Sequence, residues 1–167
     1  MSEESAESPA SQRSWPPLPW GICAAYLLFL IALALPVMNV MFDGTWNGFR
    51  CARYCAEEFL KLLRDPSRGR DSISLREASL TLPNLAMLFA PGLFLVPGPR
   101  RRLWPAIAAT LAAVHALYFP FSFGLEELPY FRIGYWVWVA SFVTLAASLW
   151  LWEARVRRAD QSAPPAG

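Results

Sequence analysis

Charged residues are missing from four long stretches of the chain, Leu18–Phe42, Ala78–Val96, Leu103–Phe123 and Ile133–Trp152. These runs hold 25, 19, 21 and 20 residues, and a helix of about 20 apolar residues crosses a hydrocarbon core of roughly 30 Å. Backbone polar groups find no water at that depth, so an open apolar run takes the form that satisfies them internally, the helix. The pattern predicts an all-α membrane protein. Four transmembrane helices, at about 18–42, 78–96, 103–123 and 133–152, make up a membrane domain over 18–153.

The connection between the first two runs, Asp43–Glu77, has a different rhythm. Phe49, Ala52, Ala56, Phe59, Leu60 and Leu63 recur at helical spacing, while Asn47, Arg50, Arg53, Glu57, Lys61 and Arg64 fill the other side. This spacing predicts an amphipathic interfacial helix over about 45–64. Asp65-Pro66-Ser67-Arg68-Gly69 ends it, and Ser74-Leu75-Arg76-Glu77 has the S-x-x-E form of a capping box, which starts the second span as a helix near Leu75. Prolines punctuate the spans. Pro36 lies near the outer end of the first, and Pro83 and Pro91 predict a kinked second span. Each buried proline frees a carbonyl that a neighbouring helix, a hydroxyl or water must satisfy. Pro105 sits in the first turn of the third span, where its missing N–H has no partner anyway, and Pro120 loosens that span's far end. Residues 1–17 form a polar tail predicted to be disordered, and 154–167 a tail that is basic, then disordered. Ala32-Leu33-Ala34 looks like a signal cleavage site, but the apolar run continues beyond it, so the first span is expected to stay as an anchor.

Composition agrees with the pattern. The chain is 55% apolar and only 17% charged, against about 25% charged in a soluble domain. A soluble enzyme, a nucleic-acid reader and a secreted disulfide scaffold are excluded. The net charge of +2 is too small to imply an anionic partner. Fourteen Arg against one Lys point to a GC-rich bacterial genome, hence to a bacterial inner membrane. Four spans place both termini and the loop between spans 2 and 3 on one side. Cation counts on the two sides are nearly equal, so position decides. Arg100–Arg102 and Arg155, Arg157 and Arg158 abut span ends, which makes both termini cytoplasmic. Aromatic belts fit the same slab: Trp15, Trp20, Trp104, Trp150 and Trp152 at one interface, and Tyr118, Phe119, Phe121, Tyr130, Phe131, Tyr135 and Trp136 at the other.

Candidate chemistry is sparse. His115 is the only histidine and falls in mid-span 3, where an ionisable side chain is a functional hypothesis by default. Asn84, Ser141, Thr144 and Ser148 are its candidate partners in an intramembrane polar site. No span holds a carboxylate or a cation, and a proton relay or a catalytic histidine needs a second group. Packing through an interhelical hydrogen bond is therefore the expected role of His115. Cys51 and Cys55 form a candidate thiol pair on one face of the interfacial helix. A zinc site wants four ligands and no second pair exists, and parallel Cβ vectors within one turn disfavour a disulfide. Two small half-buried side chains are the expected reading, with pairing to another chain or acylation as alternatives. No catalytic, cofactor or metal motif is present, and no cofactor is expected. The expected partners are the lipid bilayer and a larger membrane partner or a second copy, not nucleic acid.

Gly44-Thr45-Trp46 with Cys51 and Cys55 resembles the Trp-and-two-Cys signature of claudin-type proteins, but the spacings differ and the segment reads as helix. The wider order is a first span with a late Pro, then Asp43-Gly44-Thr45-Trp46-Asn47-Gly48-Phe49, then a Leu-Pro-Asn span and an Arg-rich short loop. A last span opens Ile133-Gly134-Tyr135-Trp136-Val137-Trp138. This order is similar to that of small, uncharacterised bacterial four-span integral membrane proteins. The resemblance implies a four-span fold and brings no activity or functional residue with it. The expected function is that of a non-catalytic accessory or interaction protein. The alternative is a small-solute carrier or channel using the broken span 2, Asn84 and His115. A lipid-acting enzyme comes third, because its outer carboxylates, Asp43, Glu57, Glu58, Glu126 and Glu127, are grouped by no motif.

Overall fold

A computed structural model describes residues 20–40, 43–67, 72–94 and 103–162. The tail 1–17, the Arg100–Arg102 cluster and residues 163–167 lie outside the described residues. Six helices follow in order: α1 (Trp20–Ala34), α2 (Gly48–Arg64), α3 (Ser72–Ser79), α4 (Thr81–Phe94), α5 (Leu103–Tyr118) and α6 (Ile133–Ser162). Two short strands, β1 (Pro36–Val40) and β2 (Gly44–Asn47), pair antiparallel between α1 and α2. Two 3₁₀ segments, Phe119–Phe123 and Leu125–Tyr130, join α5 to α6. Among the described residues two helical stretches, Leu103–Phe123 and Ile133–Ala159, are long and apolar enough to cross a membrane, and α1 is apolar but shorter.

Helix α6 is the axis of the bundle and packs along both α1 and α5, with α4 against α5. Its contact with α1 runs antiparallel from Gly21 beside Ser148, through Phe29 edge-on to Phe142 at 6.2 Å, to Gly134 against Leu35 and Pro36. Small residues make these approaches. Ala106, Ala109, Ala113 and Ala116 form a buried ridge at helical spacing on α5, and Ala25 and Ala32 are buried on α1. Ile22, Phe29, Met87, Phe142 and Leu145 fill the spaces between them, while Leu27, Leu30 and Ile31 on α1, Leu82, Leu88 and Phe89 on α4, and Leu111 and Val114 on α5 are exposed. Small residues at the closest helix approaches together with an exposed outer face of large apolar ones suit helices packed in an apolar medium. A line of rings stiffens α6 from its start: Phe131–Tyr135 at 4.6 Å, Tyr135–Trp138 at 5.5 Å and Trp138–Phe142 at 4.8 Å between centroids.

Four differences separate the structure from the sequence expectation, and three have a plain physical cause. The first apolar run is not one helix to Phe42. Leu35 N–H still bonds Ile31 O at 3.1 Å, but Pro36 pushes Leu35 away from helical dihedrals, and 36–40 continue as a strand. The second run does not begin as one helix near Leu75. It is split at Leu80 into α3 and α4 because Pro83, in the first turn of α4, cannot donate to the carbonyl of Ser79 and its ring crowds that carbonyl. The interfacial helix begins at Gly48 and not at Thr45, since Thr45–Asn47 belong to β2 and Asn47 caps α2, its side chain accepting from Arg50 N–H at 2.9 Å. Finally, Ala154–Ser162, expected as a tail, prolongs α6. Of the expected belt residues, Phe119, Tyr135 and Trp152 are buried and pack inward.

The two connections at the strand end of the bundle are joined to each other. Met38 of β1 forms a bridge with Phe131, Arg132 N–H donates to Val37 O at 2.7 Å, and Arg76 donates to Ser122 O at 2.9 Å. Gly44 takes φ +75 at the hairpin turn, a conformation that side-chain-bearing residues resist.

Candidate functional site

Helix α2 presents three faces, and this explains why its residues alternate as they do. Gly48, Cys51, Cys55 and Leu62 turn towards the protein, Phe49, Leu60 and Leu63 form an exposed apolar strip, and Arg50, Arg53, Glu57 and Lys61 form an exposed charged one. Gly48 makes the inner face possible. A Cβ there would overlap the Ala32 carbonyl, and its N–H donates to Leu35 O at 3.1 Å. Arg53 and Glu57 pair at 2.8 Å on the charged strip, which raises the guanidinium and lowers the carboxyl from their ordinary values.

Between α2, α3, the hairpin and the 3₁₀ segments lies a recess of about 380 Å³. The hairpin supplies Val37, Met38, Asn39 and Trp46, with Asn39 Oδ1 accepting from Thr45 Oγ1 at 2.9 Å across the strands. Helix α2 adds Tyr54, whose ring meets that of Trp46 at 5.4 Å and whose hydroxyl donates to Glu77 Oε2 of α3 at 3.0 Å. Burial first, and then the Glu77 carboxylate, push the Tyr54 phenol up to about 12. Phe119, Phe123, Tyr130 and Phe131 close the opposite wall, with Glu127 at the rim. A smaller recess of about 40 Å³ shares Val37, Cys51, Cys55, Leu80 and Tyr135 with this one and reaches Asn84 and Trp138.

Neither a family model, nor a curated protein, nor a solved structure matches the chain. The site therefore has to be read from its own chemistry.

The residues singled out from the sequence do not gather into one site. His115 Nε2 lies 3.0 Å from Ser79 Oγ, not beside Asn84, Ser141, Thr144 or Ser148. Ser79 spends its single proton on Arg76 O at 2.6 Å, so the imidazole donates through Nε2–H. Asn84 is held from both ends, donating to Leu80 O at 3.2 Å and accepting from Trp138 Nε1 at 2.9 Å. Ser141 and Ser148 donate back to their own helix, to Trp138 O at 2.6 Å and to Thr144 O at 2.7 Å. Cys51 and Cys55 are free thiols. Burial pushes Cys51 up to about 11 and Cys55, with its neighbour Cys51 and Glu77 adding to the effect, up to about 12. At neutral pH both are protonated and poor nucleophiles. Among the described residues no group of three His, Cys, Asp or Glu side chains is placed to hold a metal ion.

Sequence reasoning missed the recess and the His115 partner for two reasons. Glu77 closes the connection and Ser79 lies at the start of the second charge-free run, so the pattern does not mark α3 as a helix of its own, and the aromatics of the 119–135 region carry the same composition signal whether they face lipid or a cavity.

Proposed function

We propose that the protein is a four-span integral membrane protein with a non-catalytic accessory or interaction role. Depth supports the four-span frame. Helix α1 lies beside α6 from Ser148 to Gly134, and α4 meets the same level through Asn84–Trp138 and Tyr26–Met87. A bilayer that takes α6 takes α1 and α4 with it, and their exposed leucines and Phe89 then face lipid. On this reading the protein is multi-pass with both termini cytoplasmic, supported by the Arg clusters at span ends, and the Arg-rich, Lys-poor composition favours a bacterial inner membrane.

The observation that carries the non-catalytic reading is the hydrogen bonding of the sequence-predicted polar groups to one another and to their own helices, with the buried Thr81 hydroxyl and one oxygen of the buried Glu153 carboxylate as exceptions. His115 is spent on Ser79, Asn84 on Trp138 and Leu80, and Ser141 on its own helix. Groups engaged in this way stabilise helix packing and are not themselves poised to abstract or deliver a proton. Affinity purification from mild-detergent membranes, with size analysis and mass spectrometry of the eluate, tests the reading. A stoichiometric larger partner or a defined oligomer is the expected result. A lone monomer whose vesicles pass a solute would replace it with the carrier reading.

One feature favours that carrier as the second reading. The smaller recess runs from the looped end to Asn84 beside the α3–α4 break, as a broken-helix site would require. On this reading Asn84→Leu abolishes flux, while His115→Ala, at a residue that does not line the recess, leaves it largely intact.

A further inference from the structure

We infer that the recess at the looped end binds a small organic cation, an amine or quaternary ammonium carried on an apolar body. Its walls are built for one. Trp46, Tyr54, Phe119, Phe123, Tyr130 and Phe131 line it, and the faces of such rings are electronegative and attract cations. The charged side chains among the described lining residues are Glu77 and Glu127, both acidic. No basic side chain is among them.

Two of the lining rings already engage cations. The Arg50 guanidinium lies 4.5 Å from the Trp46 ring centroid and that of Arg76 lies 5.5 Å from the Phe123 centroid. Each arginine is held by a separate partner, Arg50 by Asp43 at 2.8 Å and Arg76 by the Ser122 carbonyl at 2.9 Å. Neither arginine is among the residues that line the recess. The Tyr54 hydroxyl fixes Glu77 by donating to Oε2, so the carboxylate is oriented before a ligand arrives.

The remaining lining defines the body of the ligand. Val37, Met38 and Leu80 offer hydrocarbon, and the two adjoining thiols are neutral. A sugar or a free amino acid would leave its polar groups unpaired against these walls. At about 380 Å³ the recess falls in the range of small-molecule pockets, roughly 300–1,000 Å³. Anions meet the two carboxylates and are rejected. This inference goes beyond the accessory reading, because a ligand site of this kind serves a lone protein and a subunit equally.

The test uses the full chain in nanodiscs of zwitterionic lipid, with empty nanodiscs as the blank. Equilibrium dialysis measures binding of three matched probes: phenethyltrimethylammonium, its neutral carbon isostere 3,3-dimethylbutylbenzene, and 3-phenylpropionate. Saturable binding of the cation, at least about tenfold tighter than the neutral isostere, with no saturable binding of the anion, is the expected result. Glu127→Gln, at an exposed position, should weaken cation binding several-fold with the melting temperature unchanged. Glu77→Gln should weaken it further. The inference is overturned by equal affinity for the neutral isostere, by preference for the anion, by affinity unmoved in both variants, or by no saturable binding at all. These readings are separate from partner capture, so either proposal fails without the other.

Discussion

The hydroxyl of Tyr26 on α1 donates to the carbonyl of Met87 on α4 at 2.7 Å, and Met87 is the residue whose helical donor is lost because Pro91, four positions on, has no N–H. The same device recurs at Ala116. Pro120 removes its donor, and the Tyr135 hydroxyl takes its place at 2.5 Å. Two prolines thus open two carbonyls, and two tyrosines from other helices close them, tying α1 to α4 and α6 to α5. Tyr26→Phe and Tyr135→Phe should each cost about 1–2 kcal/mol, the penalty for a buried carbonyl left unpaired. Pro91→Ala returns a donor to Met87, so Tyr26→Phe should cost less in that background. A double-mutant cycle on melting temperature reads the coupling, and additive effects would break the proposed link between the proline and the tyrosine.

The need for such a closure was legible in the sequence, but the closing residues were not. A proline announces that a carbonyl is freed, yet only packing decides which hydroxyl arrives. The bundle helices were legible for a similar reason: Leu103 and Ile133 open α5 and α6 where charge-free runs begin, because hydrophobic length is a local property. The hairpin was not legible. Pro36-Val37-Met38-Asn39-Val40 is a short apolar run whose period does not separate strand from helix, and its strand form depends on pairing with Thr45 and Trp46 and on a bridge to Phe131 far along the chain. The recess inherits that difficulty, since its walls come from separate segments that only the fold assembles.

Two glycines at helix contacts should respond differently to the same change. A methyl on Gly48 meets backbone, the Ala32 carbonyl and the Leu33 Cα, which move only by displacing α2 from α1. A methyl on Gly21 meets the Ser148 side chain, whose hydroxyl has other rotamers. Gly48→Ala should therefore destabilise by about 1–3 kcal/mol, and Gly21→Ala by clearly less. Thermal unfolding in one detergent ranks them. The opposite order would mean that α2 is not seated on α1 as described.

His115 and Ser79 form one hydrogen-bonded unit between α5 and α3. Interhelical side-chain bonds in membrane proteins are worth about 0.6–2 kcal/mol. His115→Ala and Ser79→Ala should each lower stability by an amount in that range, and the double variant by little more than either. Captured partners should be unchanged. Loss of the partner with unchanged stability would place His115 at a binding surface and not in the packing.

The thiols of Cys51 and Cys55 supply a pH signature. Their values are raised from the ordinary 9.0 to about 11 and about 12, burial being the main cause. The folded state therefore holds them neutral where an unfolded chain would begin to ionise them. Their contribution to stability is present in full below pH 9 and is lost as pH climbs through 11 and 12. Reactivity follows the same logic. At pH 8 a thiol of pKa about 11 is roughly one part in a thousand thiolate, so alkylation of Cys51 should be slow and should still rise about tenfold per pH unit at pH 10. An ordinary thiol levels off before that. Maleimide labelling of single-cysteine variants between pH 7 and 10, read by intact mass, distinguishes the two profiles. A profile at Cys55 that bends over between pH 9 and 10 would show that α2 lifts away from the bundle and exposes the face that closes the recess.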